Sequence, residues 1–565
     1  MKFNEMKYER PDFAKTKKEF NELLDRMEKA ETSEEFFACF KEVEDKSSTF
    51  QTMYTLAYIR YTINTQDEFY SKEQEEFDKF LPEFQEISTR LSEIRLNTKF
   101  RPEIVEKFGH HILDKDEVNR KLFNPEIIED RIKENQLSME YQKLMSSCLI
   151  DYKGEKRNMS QMGYFMESKD RDERKEASTK VHEWFMEHEA ELDRIYDDLV
   201  KVRHNIGLKL GFENFIPVAY GQMGRTDWTK EDAKKYRKQI LDSVVPLTQK
   251  LYKEQKERIG VEDFKFYDVP LMFLSGNPMP VGGEDVLVDA AKKMYGELSP
   301  ETDEFFKVMT SQELMDLTTK EGKAPGGYMT TISDYKVPFI FSNFNKTSGD
   351  VDVLTHEAGH AFQGYMSRDI YPSEYQNGTM EVAETHSMSM EFFTHPWMEL
   401  FFGEDTEKYY YAHVVSALQF LPYGASIDEF QEYVYENPEA SPKERRMKYR
   451  EIEKKYLPHL DYDGFDYYEN GGRWQRQLHV YEMPFYYLDY TIAQVNAFQF
   501  FIRDLEDHEE AWSEYLKLCK LGGKYPFKEL VKTVGINNPF EEGTIGPVVK
   551  ELEKYLDSLD KNLIK

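Results

Sequence analysis

A chain of 565 residues exceeds what one hydrophobic core usually holds, and its 40% apolar and 15% aromatic content excludes a disordered protein. Its 106 acidic residues outnumber 75 basic ones, and a net charge of −31 argues against nucleic acid or an anionic membrane as partner. The three cysteines, Cys39, Cys148 and Cys519, suit neither a disulfide framework nor a cysteine metal site. There is no apolar leader and no apolar run near the length of about 18 residues that would cross a membrane, so we expect a soluble, reducing, cytoplasmic setting.

Taken in order, Phe13, Phe20, Leu23, Leu24 and Met27 fall on one face of a charged segment, which predicts an amphipathic helix. Similar stretches recur to about residue 140. Cys148-Leu149-Ile150-Asp151-Tyr152 then reads as a short strand ended by Lys153-Gly154-Glu155, and helical spacing resumes through Arg203. Residues 275–283, Ser-Gly-Asn-Pro-Met-Pro-Val-Gly-Gly, are loop chemistry. Residues 326–332 and 337–341, joined by Ser333-Asp334-Tyr335-Lys336, predict a hairpin. Past residue 400 the pattern is helical again and rich in tyrosine and phenylalanine.

Directly after the hairpin comes His356-Glu357-Ala358-Gly359-His360. Residues four apart on a helix share a face, about 5–6 Å between Cβ atoms, so both imidazoles can reach one metal ion. Glu357 is turned by about 100° from His356, which lets its carboxylate reach a water on the metal without binding the metal. Two ligands and a base on one rigid element are what zinc-dependent hydrolysis needs. Thr347 and Ser348 are candidate caps for this helix, with Asp350 in its first turn, and Val351, Leu354, Ala358, Ala361, Phe362 and Tyr365 form its core stripe. Small Ala358 and Gly359 permit close approach on the metal face.

The third ligand separates the zincin classes. Gln363 and Met366 stand where a metzincin needs glycine and histidine, which excludes that class. Glu374, Glu381, Glu384 and Glu391 are the carboxylates within reach, and residues 379–391 read as a helix. Glu381 and Glu384 lie three apart on it. One of them can bind zinc while the other accepts a hydrogen bond from a ligand histidine, and spacing alone does not say which.

Residues 355–362 (Thr-His-Glu-Ala-Gly-His-Ala-Phe) and 381–391 (Glu-Val-Ala-Glu-Thr-His-Ser-Met-Ser-Met-Glu) resemble the thimet oligopeptidase and oligoendopeptidase F family, and within it the bacterial Pz-peptidase branch. The likeness is strongest over residues 320–500. It implies a mainly α, two-lobed helical zincin of the gluzincin type, with a deep central cleft and a small sheet beside the metal helix. It implies one Zn²⁺ ion held by His356, His360 and Glu384, with Glu381 as the carboxylate behind a ligand histidine; thimet-type members carry aspartate there. It also implies a division into an N-terminal helical region, residues 1–190, and a catalytic domain, residues 191–565.

Charge that develops on the scissile carbonyl needs donors besides the metal. The resemblance assigns them to His479, Tyr487 and Tyr490, although this chain is one residue shorter between the histidine and the tyrosines and has Pro484 where the thimet branch is richer in glycine. Tyr486 is the alternative to Tyr487, and Gly471-Gly472 upstream is a candidate joint. An extended peptide can add to a sheet edge through main-chain hydrogen bonds, and Gly326, Gly327 and Tyr328 form the candidate edge. His386 is a candidate substrate-side donor, whereas His110, His111, His204, His413 and His459 read as surface or core histidines. The expected activity is endopeptidase cleavage of short, unstructured peptides by a zinc-bound water that Glu357 activates. The Pz branch further implies acceptance of proline- and glycine-containing, collagen-like peptides.

Overall fold

The computed structural model describes residues 1–345 and 347–564. It is mainly α, with two small sheets. Helix α1 (Phe13–Glu28) begins at Asp12, whose carboxylate accepts the Lys15 N–H, and it buries Phe20, Leu24 and Met27. Helix α2 (Ser33–Ile63) opens with a Thr32/Glu35 capping box, and α3 (Glu68–Asn97) opens at Asp67. Phe20, Leu24, Phe36, Phe40 and Ile94 give these helices a core of their own. A small further cluster of Phe50, Ala57, Phe77 and Phe80 joins α2 to α3, and a larger core drawn from Phe3 to Ile564 holds most of the remaining elements. The α1–α3 clusters and the larger core correspond to two helical lobes.

The expected break near residue 150 is a hairpin, β1 (Ile150–Tyr152) against β2 (Glu155–Arg157). Lys153 and Gly154 take φ of 52° and 80°, the left-handed pair that a two-residue turn of this kind requires. Helix α4 (Arg171–Lys209) then runs unbroken through residue 190, so the expected domain boundary falls inside a helix and not in a linker.

Strands β3 (Met315–Thr318), β4 (Tyr328–Ile332) and β5 (Val337–Phe344) form the second sheet in the order β3-β5-β4. The predicted hairpin is β4–β5, paired antiparallel from Tyr328↔Phe341 to Ile332↔Val337. The N-terminal lobe abuts its start, where Thr62 accepts the Ala324 N–H at 2.8 Å and its hydroxyl meets Tyr328 Oη at 2.6 Å. Among the described residues, no backbone hydrogen bond joins the outer edge of β4 to another segment.

Helix α5 (Gly349–Ser367) carries the histidine motif and buries the predicted stripe, with Val351, Leu354, Ala358, Ala361 and Phe362 fully enclosed. Its start is not capped as expected. Ser348 already has helical angles and makes no capping bond, Thr347 Oγ1 turns to Asn345 Oδ1, and Asp350 closes the turn by accepting the Asn345 N–H at 2.9 Å. Four further helices complete the surroundings of the motif: α6 (Met380–Phe393), α7 (Thr406–Glu436), α8 (Leu478–Glu482) and α9 (Tyr487–Glu506). A Cβ on Gly359 would stand 2.6 Å from Ser387 Cα, so glycine is what lets α5 and α6 touch.

Candidate metal centre

The contact of α5 with α6 brings three side chains to one point. Glu384 Oε2 lies 3.3 Å from His356 Nε2 and 3.5 Å from His360 Nε2, and one ligand atom of each residue falls within 4.8 Å of the others. Zinc bonds of about 2.1 Å in a tetrahedron set ligands roughly 3.4 Å apart, so this spacing and this two-imidazole, one-carboxylate donor set fit that ion with a fourth position open. Burial alone would raise the Glu384 carboxyl, but His360 and His356 outweigh it and hold its pKa well below the ordinary range. Ligands are bound deprotonated, so a metal ion would take the place of protons these groups otherwise share.

The remaining polar atoms of His356 and Glu384 are also occupied. His356 Nδ1 is 2.6 Å from Glu391 Oε1, whose Oε2 is 2.8 Å from His413 Nε2, and His413 Nδ1 is 2.8 Å from His395 Nε2. An ionised carboxylate only accepts, and His356 and His413 hold Glu391 ionised against its burial. His356 therefore carries its proton on Nδ1 and turns the Nε2 lone pair toward the site. On the other side, Tyr486 Oη donates to Glu384 Oε1 at 2.6 Å, which leaves Oε2 for the metal position.

The carboxylate behind the ligand histidine is thus Glu391 and not Glu381, a correction with a geometric cause. At about 100° per residue, seven residues bring Glu391 back to within about 20° of Glu384, while three leave Glu381 about 60° away. Glu381 is wholly buried and accepts instead from Trp228 Nε1 at 2.9 Å. The Arg225 guanidinium stacks on Trp228, 4.0 Å from the ring centroid, and bonds Asp489 Oδ1 at 2.7 Å, so this unit ties α6 to α9. His386 is likewise wholly buried; it packs beside Tyr515, which donates to its carbonyl at 2.9 Å, so it is not placed to meet a peptide as expected.

Glu357 extends from α5 with Oε2 buried and unpartnered. Burial raises its carboxyl above the ordinary range while His356 and His360 pull the other way, the environment of a base poised to accept a proton. A Cβ on Gly327 would stand 3.8 Å from Glu357 Oε1, which puts the start of β4 beside that carboxylate; Gly326 precedes it at φ 91°. Tyr328 faces the other way, stacked on Phe341 with centroids 4.8 Å apart.

Facing them is the tyrosine-rich segment. Phe485, at φ 70°, holds a conformation normally left to glycine; Gln431 Oε1 accepts its N–H and Arg225 donates to its carbonyl. This forced turn delivers Tyr486 to Glu384. His479 lies among Tyr486, Tyr487 and Tyr490, with ring centroids 5.6, 5.1 and 5.5 Å away. Burial pushes its pKa down to about 4, against the pull of Glu384, so the ring is neutral. Tyr490 is half-buried, and burial and the Glu384 charge hold its phenol protonated. Tyr487 sets its edge against Phe420 and Tyr423. Gly471 and Gly472 are packing positions and not a joint: a Cβ would fall 2.0 Å from the Arg446 carbonyl at one and 2.4 Å from the Tyr467 ring at the other. Sequence reasoning passed over His413 and the role of Glu391, although the seven-residue spacing from Glu384 carried the signal for the latter.

Comparison with known proteins gives the family. Residues 3–123 match the Peptidase M3 N-terminal domain and residues 299–546 match Peptidase family M3. A solved structure of Pz peptidase A with an inhibitor is 50% identical with a TM-score of 0.95, covering 99% of this chain and 100% of that one. The oligoendopeptidase F homolog of Borreliella burgdorferi is 24% identical over 65% of this chain, and the oligopeptidase PepF of Bacillus subtilis is 22% identical over 71%. The chain spans 62% and 59% of the length of those two curated relatives. Two family matches over both parts of the chain and a half-identical structure along its whole length place it: the chain belongs to peptidase family M3.

Proposed function

We propose that the protein is a zinc-dependent endopeptidase that hydrolyses internal bonds of short, unstructured peptides. The observation that carries this reading is the meeting of His356 Nε2, His360 Nε2 and Glu384 Oε2 within 4.8 Å, with the free carboxylate of Glu357 on the same helix. Zinc held there supplies Lewis acidity, polarising the scissile carbonyl and acidifying water. Glu357 takes a proton from the attacking water and later delivers it to the departing amine. Tyr490, with its phenol kept protonated, and His479 donate to the developing oxyanion, with Tyr487 beside them. The unpaired edge of β4 takes the substrate backbone as an added strand, with Gly327 bringing it alongside Glu357. Main-chain pairing tolerates many side chains and suits an extended peptide, not a folded chain, and we extend the substrate range to proline- and glycine-containing peptides. We divide the chain by role into an N-terminal helical region, residues 1–190, and a catalytic region, residues 191–565, although α4 runs across that boundary and residues 127–185 pack in the larger core. The three cysteines are all free and buried, which supports a cytoplasmic setting, and no helix among the described residues is long and apolar enough to cross a membrane.

A quenched peptide blocked at both termini tests the reading. Cleavage at an internal bond, its loss with a chelator and its return with zinc are expected. Turnover confined to peptides with a free terminus would make the enzyme an end-trimmer, and chelator-resistant turnover would remove the metal from the reaction.

A further inference from the structure

We infer that Tyr423 and Gln477 fix the proton of His479 on Nε2 and so make the nitrogen not held by Gln477 a hydrogen-bond donor. The functional meaning of this relay rests on His479 serving the oxyanion, as proposed above. Gln477 Nε2 lies 2.9 Å from His479 Nδ1, and Tyr423 Oη donates to Gln477 Oε1 at 3.0 Å. A phenol hydroxyl brings one proton that needs an acceptor, and the Gln477 carbonyl is its hydrogen-bond partner among the described residues. That bond orients the amide. Its oxygen is claimed by Tyr423, so its N–H₂ faces His479 Nδ1, which must then present a lone pair. A neutral imidazole has one N–H, and with Nδ1 accepting, the proton resides on Nε2. Nε2 itself has no partner among the described residues, and the ring is only partly covered. The opposite amide orientation would leave the Tyr423 proton without this acceptor and His479 Nε2 with a lone pair, which repels an oxyanion.

The relay is held rigidly at both ends. Gln475, two residues before Gln477, is wholly buried and bonded to Asp193 Oδ1 and Tyr467 Oη, each at 2.8 Å, while its carbonyl accepts from Tyr141 Oη at 2.9 Å. Tyr423 sits on α7 next to Gly424, where a Cβ would fall 2.2 Å from Thr491 Cγ2 of α9, so the two helices meet there with no slack. Tyr423 and Gln477 are positioning residues in this account. They act through His479.

Ring ¹⁵N NMR of histidine-labelled protein, with His479→Ala to assign the signal, reads the tautomer without reference to turnover. The wild type is expected to carry the proton on Nε2. Gln477→Glu offers a carboxylate that only accepts, so His479 should move its proton to Nδ1, with kcat falling about 10²–10³-fold, the scale for one lost oxyanion donor, and KM within about threefold. Gln477→Leu removes both bonds without adding charge and should give mixed tautomers and a smaller loss, which keeps the question open to measurement should the glutamate variant fold poorly. Tyr423→Phe, which frees the amide to turn, should also mix the tautomers. A wild-type proton on Nδ1, or tautomers unmoved by these substitutions, would overturn the relay. A tautomer that inverts in Gln477→Glu with kcat unchanged would leave the relay standing and remove His479 from the oxyanion.

Discussion

On one side of the candidate centre, α5 and α6 present His356, Glu357, His360, Glu384 and Glu391 at spacings of one, three, four and seven residues, and helix geometry alone aligns them. On the other side, α8, the turn after it and α9 present His479, Tyr486 and Tyr490 from a segment in which a non-glycine residue holds φ 70° and a buried arginine ties the turn down. Tyr486 reaches Glu384 across 102 residues of sequence. The ligand side is local structure with two helices pressed together; the tyrosine side exists only through tertiary packing. Substitutions should separate the two sides, changing metal affinity on the first and transition-state stabilisation on the second.

The largest effect is expected at Glu357, which belongs to the ligand side in sequence but not in role. Glu357→Gln should keep zinc and lose about 10²–10⁴-fold in kcat, the usual worth of a positioned base, as read by metal content and turnover together. Tyr490→Phe should cost about 2.7–4 kcal/mol of transition-state stabilisation with metal affinity unchanged, and a normal rate would take Tyr490 out of the mechanism. Glu391→Gln should weaken zinc about 10–100-fold in a competition titration, because the amide keeps one acceptor oxygen for two histidines and loses the charge that fixes the His356 tautomer. Glu381→Gln is the matched control: its carboxylate meets Trp228 and no histidine, so zinc affinity should stay within about threefold. Equal losses at Glu381 and Glu391 would erase the distinction drawn between them. Tyr486→Phe should lose about tenfold in zinc affinity, the low end of the range for Glu391, because it releases Glu384 Oε1 but leaves Oε2 in place.

The same contrast explains what was legible in the sequence. The α5 stripe, the β4–β5 hairpin and the end of a short strand at Lys153-Gly154 follow from local periodicity and turn chemistry, and the structure shows each of them. Helix geometry also paired His356 with His360 on paper, whereas Glu384 was singled out among the nearby carboxylates only by the family resemblance. Choosing Glu381 over Glu391 gave the nearer residue priority over angular phase, although seven residues return to a helix face more closely than three. His413 looked like an ordinary core histidine because nothing beside it in sequence hints at Glu391, 22 residues away. His386 lies on the metal-binding helix, yet its burial beside Tyr515 depends on how the following helix, His508–Leu521, packs. Phe485 illustrates the limit most sharply: its left-handed turn carries no glycine to announce it, and hydrogen bonds with distant Gln431 and Arg225 hold it. The division at residue 190 came from the resemblance alone; helical spacing through Arg203 was legible in the sequence, and the structure shows one helix across that point.

The account stands most directly on diffraction from crystals grown with one equivalent of zinc and recorded on both sides of the zinc absorption edge. It predicts a single anomalous peak about 2.0–2.2 Å from His356 Nε2, His360 Nε2 and Glu384 Oε2, with Glu357 outside the coordination shell. A peak elsewhere, or an empty site in protein that still cleaves peptides at full rate, would contradict it.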